Sequence, residues 1–307
     1  MEIIHSLEQL HKFSVPCVVA LGTFDGLHRG HLEIIGAAKE QAQKTDAKLA
    51  VFTFSNHPFA CFKSDKVPPT LITFAQKQEL LQRLGVDVLI DIPFDASVAN
   101  LEPETFLQKL QKIGYSSLVV GSNFTYGIRG AGNVTTLAAS AHELGFELVV
   151  RSLVSDGATV ISSTVIRRLI AEGNVAEANK MLGRCYSLTG IVAHGNERGR
   201  ILGFPTANIE LKDSKQAVPC GGVYAVRALV NDRRYKGMAN IGKNPTFNDV
   251  ESVRLETHIF DFHQDIYGQQ ITVEFVERLR GEVKFTSVEE LKLQLAADAA
   301  QCRRILQ

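Results

Sequence analysis

Two histidines lie in a glycine-containing stretch, GTFDGLHRGH, which spans residues 22–31. The stretch follows an apolar run and precedes a helical pattern, so it predicts a strand–turn–helix junction. The helix start at such a junction offers free backbone N–H groups and a positive dipole end, which together bind anions. Gly30 separates His28 from His31, so a phosphate can approach the backbone while the imidazoles stabilise charge that develops on it. The stretch therefore predicts a nucleotide phosphate site.

Two other interpretations of these histidines are open. A histidine pair three residues apart can bind a metal ion, and a single histidine is often structural. A hydrolytic zinc site needs a third ligand and a nearby carboxylate base, as in an HExxH motif, and that motif is absent from the sequence. The glycine-rich turn between strand and helix favours the nucleotide.

A second segment with phosphate-binding residue types is ISSTVIRRLI, residues 161–170. Ser163 and Thr164 can cap a helix that Arg167 continues. Hydroxyl groups at a helix start, with an arginine one turn later, also bind phosphate. Because capping hydroxyls are common at helix starts, the segment by itself is a weak indication.

The glycine-rich segment VGSNFTYGIRGAG, residues 120–132, follows a predicted strand. Asn123 and Arg129 therefore come to the same sheet edge as the histidine stretch, where they can contact a nucleotide or its co-substrate. The alternative is an ordinary glycine-rich loop.

The densest motif of the chain is GIVAHGNERGRILGFPTAN, residues 190–208. Its glycines permit a flap whose backbone approaches phosphates closely, and its arginines add positive charge. Thr206 and Asn208 are hard oxygen donors of the kind that Mg²⁺ prefers. The residues of this motif that we expect to contact phosphate are Gly195, Arg198, Gly199, Arg200 and Gly203.

A kinase that acts on an alcohol benefits from a base that takes the hydroxyl proton. The candidate is Glu256, in the middle of a predicted strand in the segment RLETHIFDF. A glutamate that points into a core is costly, and a mid-strand glutamate more often faces solvent. The strand pattern alone leaves both orientations open.

The elements that position the first set of residues alternate between strands and helices. Continuous apolar strands alternating with helices indicate a parallel sheet covered on both faces. The predicted strands are 15–21, 49–54, 86–90, 117–120 and 147–150. The predicted helices are 32–42, 76–84, 104–113, 135–144, 163–172 and 175–182.

From about Tyr186 the pattern changes to short strands separated by Gly, Pro, Asn and Asp turns. This spacing predicts a small antiparallel barrel followed by a helix over residues 288–305. The predicted strands are 187–192, 223–229, 234–240, 254–260 and 270–276. We therefore predict two domains, residues 1–184 and 185–307.

One segment resembles a phosphate-binding P-loop without satisfying its requirements. GMANIGKN, residues 237–244, ends in Asn244 where a P-loop has serine or threonine. Pro245 then blocks the helix that must follow. The segment is predicted to be a turn.

Composition limits the classes of function. The chain has 307 residues, 45% apolar and 21% charged, and its 33 basic residues balance 33 acidic ones. A chain of this length suits two domains, and the absence of a basic excess argues against a nucleic-acid partner. Five scattered cysteines form no CxxC pair, the N-terminus lacks the pattern of a signal peptide, and no apolar run would span a bilayer. We expect a cytoplasmic protein that does not contact membranes.

The motifs of the first half together resemble a known family. GTFDGLHRGH, TFSNHP (53–58), GSNFTYG and ISSTVIR resemble, in order and spacing, the nucleotidylyltransferase half of bacterial bifunctional riboflavin kinase/FAD synthetases. The resemblance implies a Rossmann-like domain in which an FMN phosphate oxygen attacks the α-phosphorus of ATP and pyrophosphate leaves. His28 and His31 then contact the ATP phosphates as catalytic residues. The nucleotide and phosphate contacts expected in this half are Gly22, Phe24, Gly30, Asn123, Ser163, Thr164 and Arg167.

This half departs from the family pattern at one place. The family usually has TFEPHP, whereas this chain has Ser55 and Asn56 before His57 and Pro58. The departure puts the positioning of flavin or ATP by this loop in doubt. None of the residues assigned to the chemistry is missing.

The motifs of the second half resemble the riboflavin kinase domain of the same family. They are HGNERGRILGFPTAN, GGVYAV (221–226), ANIGKNPTF (239–247) and ETHIFDFHQDIYG (256–268). The resemblance implies a six-stranded antiparallel barrel with a terminal helix. It makes Thr206 and Asn208 contacts of Mg²⁺ and nucleotide, and Glu256 the catalytic base.

The expected function is therefore twofold: ATP-dependent phosphorylation of riboflavin to FMN, and adenylylation of FMN to FAD. ATP is the co-substrate and Mg²⁺ the cofactor. One alternative is a chain in which only the kinase is fully active, because of the altered loop. A second is a flavin-binding protein without turnover. A third, a nucleotidylyltransferase for NAD or a phospholipid precursor, would leave the second half unexplained.

Overall fold

A computed structural model describes the chain at residues 1–62, 67–194, 199, 202–244 and 252–307. The chain divides into two compact units, Met1–Ser163 and Thr164–Gln307. This division falls before the predicted domain boundary between residues 184 and 185, and that boundary stays a prediction.

The first unit is built on a parallel sheet, as predicted. In the described part of this unit the strands are β1 (Glu2–Ile4), β2 (Cys17–Leu21), β3 (Lys48–Phe54), β4 (Val88–Ile92), β5 (Tyr115–Gly121), β6 (Thr125–Tyr126), β7 (Gly132–Asn133), β8 (Glu147–Arg151), β9 (Ser155–Asp156) and β10 (Thr159–Val160). Six of them form the sheet in the order β1-β4-β3-β2-β5-β8, and the short pairs β6–β7 and β9–β10 are antiparallel.

Both faces of this sheet are buried. Along β2, Val19 and Leu21 belong to one apolar cluster, whereas Val18 and Ala20 belong to another. Because successive side chains of a strand point to opposite faces, the two clusters lie on opposite sides of the sheet. The Rossmann-like α/β class predicted for this half is confirmed.

Helices connect and cover these strands. Among the described residues they are α1 (Arg29–Lys44), α2 (Phe59–Phe62), α3 (Phe74–Arg83), α4 (Ala96–Ala99), α5 (Pro103–Leu110), α6 (Val134–Leu144), α7 (Ser163–Ala171), α8 (Val175–Leu182) and α9 (Val288–Ile305). The predicted long helices all exist, with ends shifted by a few residues. The predicted helix 104–113 ends as α at Leu110 and continues as a 3₁₀ turn to Ile113.

The second unit contains a closed barrel of six antiparallel strands, as the family resemblance implied. The strands are β11 (Tyr186–Ala193), β12 (Ala207–Leu211), β13 (Gly222–Val230), β14 (Arg233–Asn244), β15 (Ser252–Ile259) and β16 (Gln270–Arg280). They close in the order β11-β12-β15-β14-β13-β16. Residues along β11 alternate strictly between buried and half-buried, which separates the barrel interior from its outer face.

Several predictions about single elements were incomplete or wrong. The strand pattern missed β1, whose three residues are too few to show periodicity, and it missed β12, which lies inside the 190–208 motif. The segment 237–244, predicted to be a turn, continues β14 and pairs with β15. Its side-chain alternation was interrupted by glycines, which hid the strand.

The terminal helix α9 is attached to the barrel by a buried ion pair and an apolar contact. Arg280 at the end of β16 donates from Nη2 to Oδ2 of Asp298 at 2.7 Å, and Asp298 is only 2% exposed. Leu295 and Ala299 pack against the apolar cluster that contains Cys302. Within the described ranges, no helix is both long enough and apolar enough to cross a membrane.

The helix α8 belongs by its contacts to the barrel. Asn179 donates from its side chain to the carbonyl of Phe275 in β16 at 2.8 Å. Its side-chain oxygen accepts the backbone N–H of Tyr186, the first residue of β11, at 2.6 Å. One amide thus ties α8 to two barrel strands.

Candidate active sites

The first helix begins at a predicted site residue. His28 is the N-cap of α1, is buried, and accepts the backbone N–H of His31 at Nδ1 over 3.3 Å. A ring nitrogen that accepts a hydrogen bond carries no proton, so the neutral imidazole of His28 is protonated at Nε2. The two rings stack with their centroids 3.6 Å apart. The cap therefore places the His28 ring at the anion-binding end of the helix.

The turn before this helix holds its backbone in rare conformations. Phe24, Gly26 and Leu27 have φ angles of 45°, 86° and 42°, in the left-handed region. Non-glycine residues adopt this region at a cost, and such strain is concentrated at functional loops. Phe24 and Leu27 are fully buried, so core packing holds the strained turn in place.

Phe24 supports a site histidine. Its ring is 0% exposed and meets the ring of His31 edge-on, with the centroids 5.3 Å apart. A Cβ at Gly22 would lie 2.9 Å from the Phe24 ring, so glycine is required there for this packing. The ring of Phe24 lies in the core beneath His31, and the contact of Phe24 with the nucleotide stays a prediction.

The other predicted residues of the first half lie in two segments, the loop after β5 and the helix α7. Asn123 is exposed two residues after β5, the strand beside β2. Ser163 begins α7 and donates from Oγ to the carbonyl of Asp25, in the strained turn, at 2.8 Å. Thr164 is exposed and Arg167 is half-buried in the first turns of that helix.

The loop that departs from the family pattern is fixed by one of its unusual residues. Asn56 donates to the carbonyl of Phe94 at 3.0 Å and accepts the N–H of the same residue at 2.6 Å. Ser55 also donates its backbone N–H to the carbonyl of Ile92 at 3.0 Å. The paired hydrogen bonds of Asn56 give the loop a fixed anchor without the proline that the family usually has there.

In the second unit, alternate residues of β15 face a cavity. Arg254, Glu256 and His258 line a cavity of about 350 Å³ on the outer face of the barrel. Leu255 and Thr257 are fully buried on the opposite face of the strand. Glu256 therefore faces neither the core nor open solvent, which settles the orientation that the sequence left open.

The predicted oxygen donors line the same cavity. Asn208 on β12 lies directly opposite Glu256 on β15, and Thr206 precedes it on the same side of the chain. Among the described residues there is no group of three or more His, Cys, Asp or Glu that could hold a metal ion. The oxygens of Thr206 and Asn208 fit Mg²⁺, which takes few protein ligands and completes its shell with water and phosphate.

Charged and polar neighbours hold Glu256 in this position. Arg254 forms an ion pair with its carboxylate, and the Glu256 side chain is 21% exposed. Arg254 also lies 3.5 Å from the side-chain oxygen of Asn208. The guanidinium thus connects the carboxylate to the neighbouring donor strand.

His258 ties the donor segment to β15. Its Nδ1 lies 2.7 Å from the carbonyl oxygen of Pro205. Because a carbonyl only accepts, Nδ1 carries the proton. Burial lowers the pKa of His258, so the neutral ring is favoured. The bond holds Pro205, and with it Thr206, against the strand that carries Glu256.

Of the predicted flap, the described residues are Gly199 and Gly203. A Cβ at Gly199 would lie 2.4 Å from the carbonyl oxygen of Phe204 and 3.2 Å from Oγ1 of Thr206. Gly199 therefore permits the chain to pass close to the oxygen donors. Gly203 has a φ of 84°, which favours glycine. The predicted contacts Gly195, Arg198 and Arg200 lie outside the described residues.

Among the cavity residues that sequence reasoning missed, three lie next to Glu256. Arg254 and His258 had a detectable signal, because they alternate with Glu256 along one strand and so share its face. Asn240 lies opposite Glu256 on the other side, in β14. No local pattern indicates Asn240, since its place depends on the pairing of two strands.

Comparison with known proteins follows this division of the chain. A family model described as FAD synthetase matches residues 10–165, and one described as riboflavin kinase matches residues 182–306. The curated bifunctional riboflavin kinase/FMN adenylyltransferase of Bacillus subtilis is 38% identical over 99% of this chain and 97% of its own length. The protein of the same name from Escherichia coli K12 is 35% identical over 98% of this chain and 95% of its own length.

A solved structure matches both units. The crystal structure described as a macrolide-efflux protein from Streptococcus pneumoniae has a TM-score of 0.91 and 35% identity, and the match covers 98% of each chain. With the two family models and the near full-length relatives, the chain belongs to the bifunctional riboflavin kinase/FMN adenylyltransferase family.

Proposed function

We propose that this chain phosphorylates riboflavin to FMN on the barrel and adenylylates FMN to FAD at the edge of the parallel sheet, with ATP as the second substrate of both reactions. The observation that carries the proposal is the cavity that brings Thr206, Asn208 and Glu256 together. This cavity combines a carboxylate base with oxygen donors for a phosphate-bound cation, which are the parts that phosphoryl transfer to an alcohol requires.

In the kinase reaction, Glu256 accepts the proton of the riboflavin hydroxyl as that oxygen attacks the γ-phosphorus of ATP. ADP leaves, and the phosphoryl group stays on the flavin. Arg254 holds the carboxylate through its ion pair, so the base is aligned before the substrate arrives. The apolar side chains of Leu291 and Leu295 from α9 line the same cavity and offer contact area for an aromatic ring.

The positions of the two kinase substrates follow from Thr206. This residue lines the 350 Å³ cavity that contains Glu256 and also a second cavity of about 250 Å³ that does not. Because the base must touch the acceptor hydroxyl, we place the flavin in the first cavity and the nucleotide in the second. The phosphates then meet the acceptor at Thr206.

The residues that would hold Mg²⁺ are Thr206 and Asn208. When bound there, Mg²⁺ would neutralise phosphate charge that accumulates during transfer. Arg254 adds a permanent positive charge to the same cavity.

In the adenylyl transfer, an FMN phosphate oxygen attacks the α-phosphorus of ATP and pyrophosphate leaves. The attacking oxygen is already ionised, so the site needs alignment and charge stabilisation and no base. The His28 imidazole and backbone N–H groups at the start of α1 donate to phosphate oxygens, and His31 stacks on His28. We assign Asn123, Ser163, Thr164 and Arg167 to further phosphate or nucleotide contacts.

The proposal includes a location and a domain division. Scattered cysteines without pairing motifs favour a reducing compartment, and we propose the cytoplasm. We also propose that residues 1–184 and 185–307 carry the two activities, a division supported by a riboflavin kinase match that begins at residue 182. The word efflux in the description of the similar crystal structure is not part of this proposal. The cavity of this chain carries Thr206, Asn208 and Glu256, which are groups suited to phosphoryl transfer.

The test is chromatography of flavins after incubation of the purified protein with ATP and magnesium. One reaction starts from riboflavin and a parallel reaction starts from FMN. We expect FAD in both reactions, with FMN as an intermediate of the first. FMN from riboflavin together with unchanged FMN would remove the adenylyl transfer from the proposal, and unchanged flavin in both reactions would overturn it.

A further inference from the structure

A buried lysine lies beneath the adenylyl-transfer site. Lys77 belongs to α3 and is only 8% exposed. Its Nζ lies 3.3 Å from the carbonyl oxygen of Phe54 and 3.5 Å from Oγ1 of Thr53. Both acceptors are at the carboxyl end of β3, where the TFSNHP loop begins. The lysine therefore reaches the backbone at the start of that loop.

Thr53 also forms a hydrogen bond with the turn of the histidine motif. Thr53 is fully buried and donates from Oγ1 to the carbonyl of Thr23 at 2.8 Å. Thr23 is followed directly by Phe24, the residue on which His31 packs. A continuous series of hydrogen bonds therefore joins α3, the TFSNHP loop and the turn that leads to the site histidines.

Burial of the charged Lys77 side chain costs free energy of folding. Burial lowers the pKa of Lys77, and the carboxylates of Asp91 and Asp25 act in the opposite direction. Asp91 faces Thr53 from the neighbouring strand, is 1% exposed, and its Oδ1 has no hydrogen-bond partner among the described residues. Opposite charges that are buried near each other add little net stability compared with apolar residues of similar volume. The position of Lys77 between the TFSNHP loop and the turn of the histidine motif indicates a role other than stability.

We propose that Lys77 is a positioning residue for adenylyl transfer, which fixes the TFSNHP loop against the turn that carries the site histidines. The inference rests on the proposed adenylyltransferase function. The contact of Lys77 is with the backbone of Phe54 and the hydroxyl of Thr53. The expected consequence of its loss is misplacement of the substrate relative to His28 and His31.

The test separates the charge of Lys77 from its hydrogen bonds. Lys77→Met removes both and leaves Asp91 buried without a counter-charge. The double variant Lys77→Met/Asp91→Asn removes both charges and leaves the hydrogen bonds unmade. The matched control is Lys39→Met, because Lys39 also donates to a backbone carbonyl, that of Leu84 at 2.9 Å, but is exposed on α1.

We expect Lys77→Met to lower kcat/KM for FMN adenylylation by about tenfold to a hundredfold, the range of small misplacements, and to lower the Tm. The double variant should recover the Tm but not the adenylylation rate. Riboflavin phosphorylation by the same molecules should match wild type throughout, as should both activities of Lys39→Met.

Recovery of wild-type adenylylation in the double variant would overturn the inference, because charge balance would then be the only role of Lys77. Wild-type adenylylation in Lys77→Met would overturn it as well. The wild-type rate of FAD formation is the reference for every ratio. A failure of the proposed adenylyltransferase function is therefore visible in the wild-type protein itself.

Discussion

The two candidate sites are carried by different kinds of structural element. The adenylyl-transfer site lies where parallel strands end, and its groups belong to a turn and a helix start, with His28 as the helix cap. The kinase site lies in the middle of a barrel strand, where Glu256 is flanked by paired residues on both sides. One site is built from strand ends and the start of a helix, and the other from side chains on a barrel strand that is paired on both sides.

This difference follows from the nucleophiles. An FMN phosphate is ionised before it reacts, so its site must bind and orient anions, for which helix starts are suited. A riboflavin hydroxyl is neutral, so its site must also place a base within hydrogen-bond distance of one proton. A strand hydrogen-bonded on both sides fixes such a base more firmly than a turn does. The comparison predicts that the two activities can be removed separately.

The largest effect is expected from the base. Glu256→Gln keeps the shape of the side chain but cannot accept the hydroxyl proton, so FMN formation should fall by about a thousandfold. FMN adenylylation in the same molecules should remain at the wild-type rate. Glu274→Gln is the matched control, because Glu274 is also a strand glutamate paired with an arginine, Arg234 at 3.1 Å. Equal loss of both activities in a folded Glu256→Gln protein would contradict two separate sites.

A smaller effect is expected from the helix cap. In His28→Asn the side-chain oxygen takes the place of Nδ1 and accepts the N–H of His31, while the distal donor is lost. FMN adenylylation should fall by about a hundredfold, as for the loss of one donor to a developing negative charge. The Tm should remain within error of wild type, whereas His28→Ala should also lose about 1 kcal/mol of capping stability. A lower rate of riboflavin phosphorylation in His28→Asn would argue against the separation.

The smallest effect is expected from the partner of the base. Arg254→Met removes the ion pair with Glu256 and keeps an apolar stem of similar length, so kcat of riboflavin phosphorylation should fall by about tenfold. The side chain is partly exposed, which limits the strength of the pair. Arg234→Met removes a comparable strand pair outside the cavity and should leave the rate unchanged. A rise in KM alone, with kcat intact, would show that Arg254 binds substrate without aligning the base.

The sequence was sufficient to single out residues that stand in local motifs. Motif spacing drew attention to His28 and His31, and the resemblance of the second half to a riboflavin kinase domain drew attention to Glu256; their catalytic roles stay predictions. The cap formed by His28 was not predicted, since it depends on the φ and ψ angles of the turn. Lys77 resembles any polar residue of an exposed helix in the sequence. Its burial against β3 is set by the tertiary packing of α3 on the sheet.

Local sequence patterns were also insufficient for some strands. Long apolar strands and amphipathic helices were found because many residues repeat one pattern. The edge strand β1 has three residues, and its neighbour among the described strands is β4, which is more than eighty positions later in the chain. The barrel strand β12 was hidden by a functional motif, whose residues are chosen for chemistry and do not alternate as a strand pattern should.

The pairing of β15 on both sides sets a rule for changes in chain length. Since side chains alternate with a period of two, one inserted residue before Glu256 would turn its carboxylate into the barrel and bring Leu255 to the cavity. Two inserted residues would restore the orientation at the cost of a bulge in the ladder. Within its paired part, β15 can therefore change in length only by even steps before Glu256, so the parity of a strand is part of the information that specifies this enzyme.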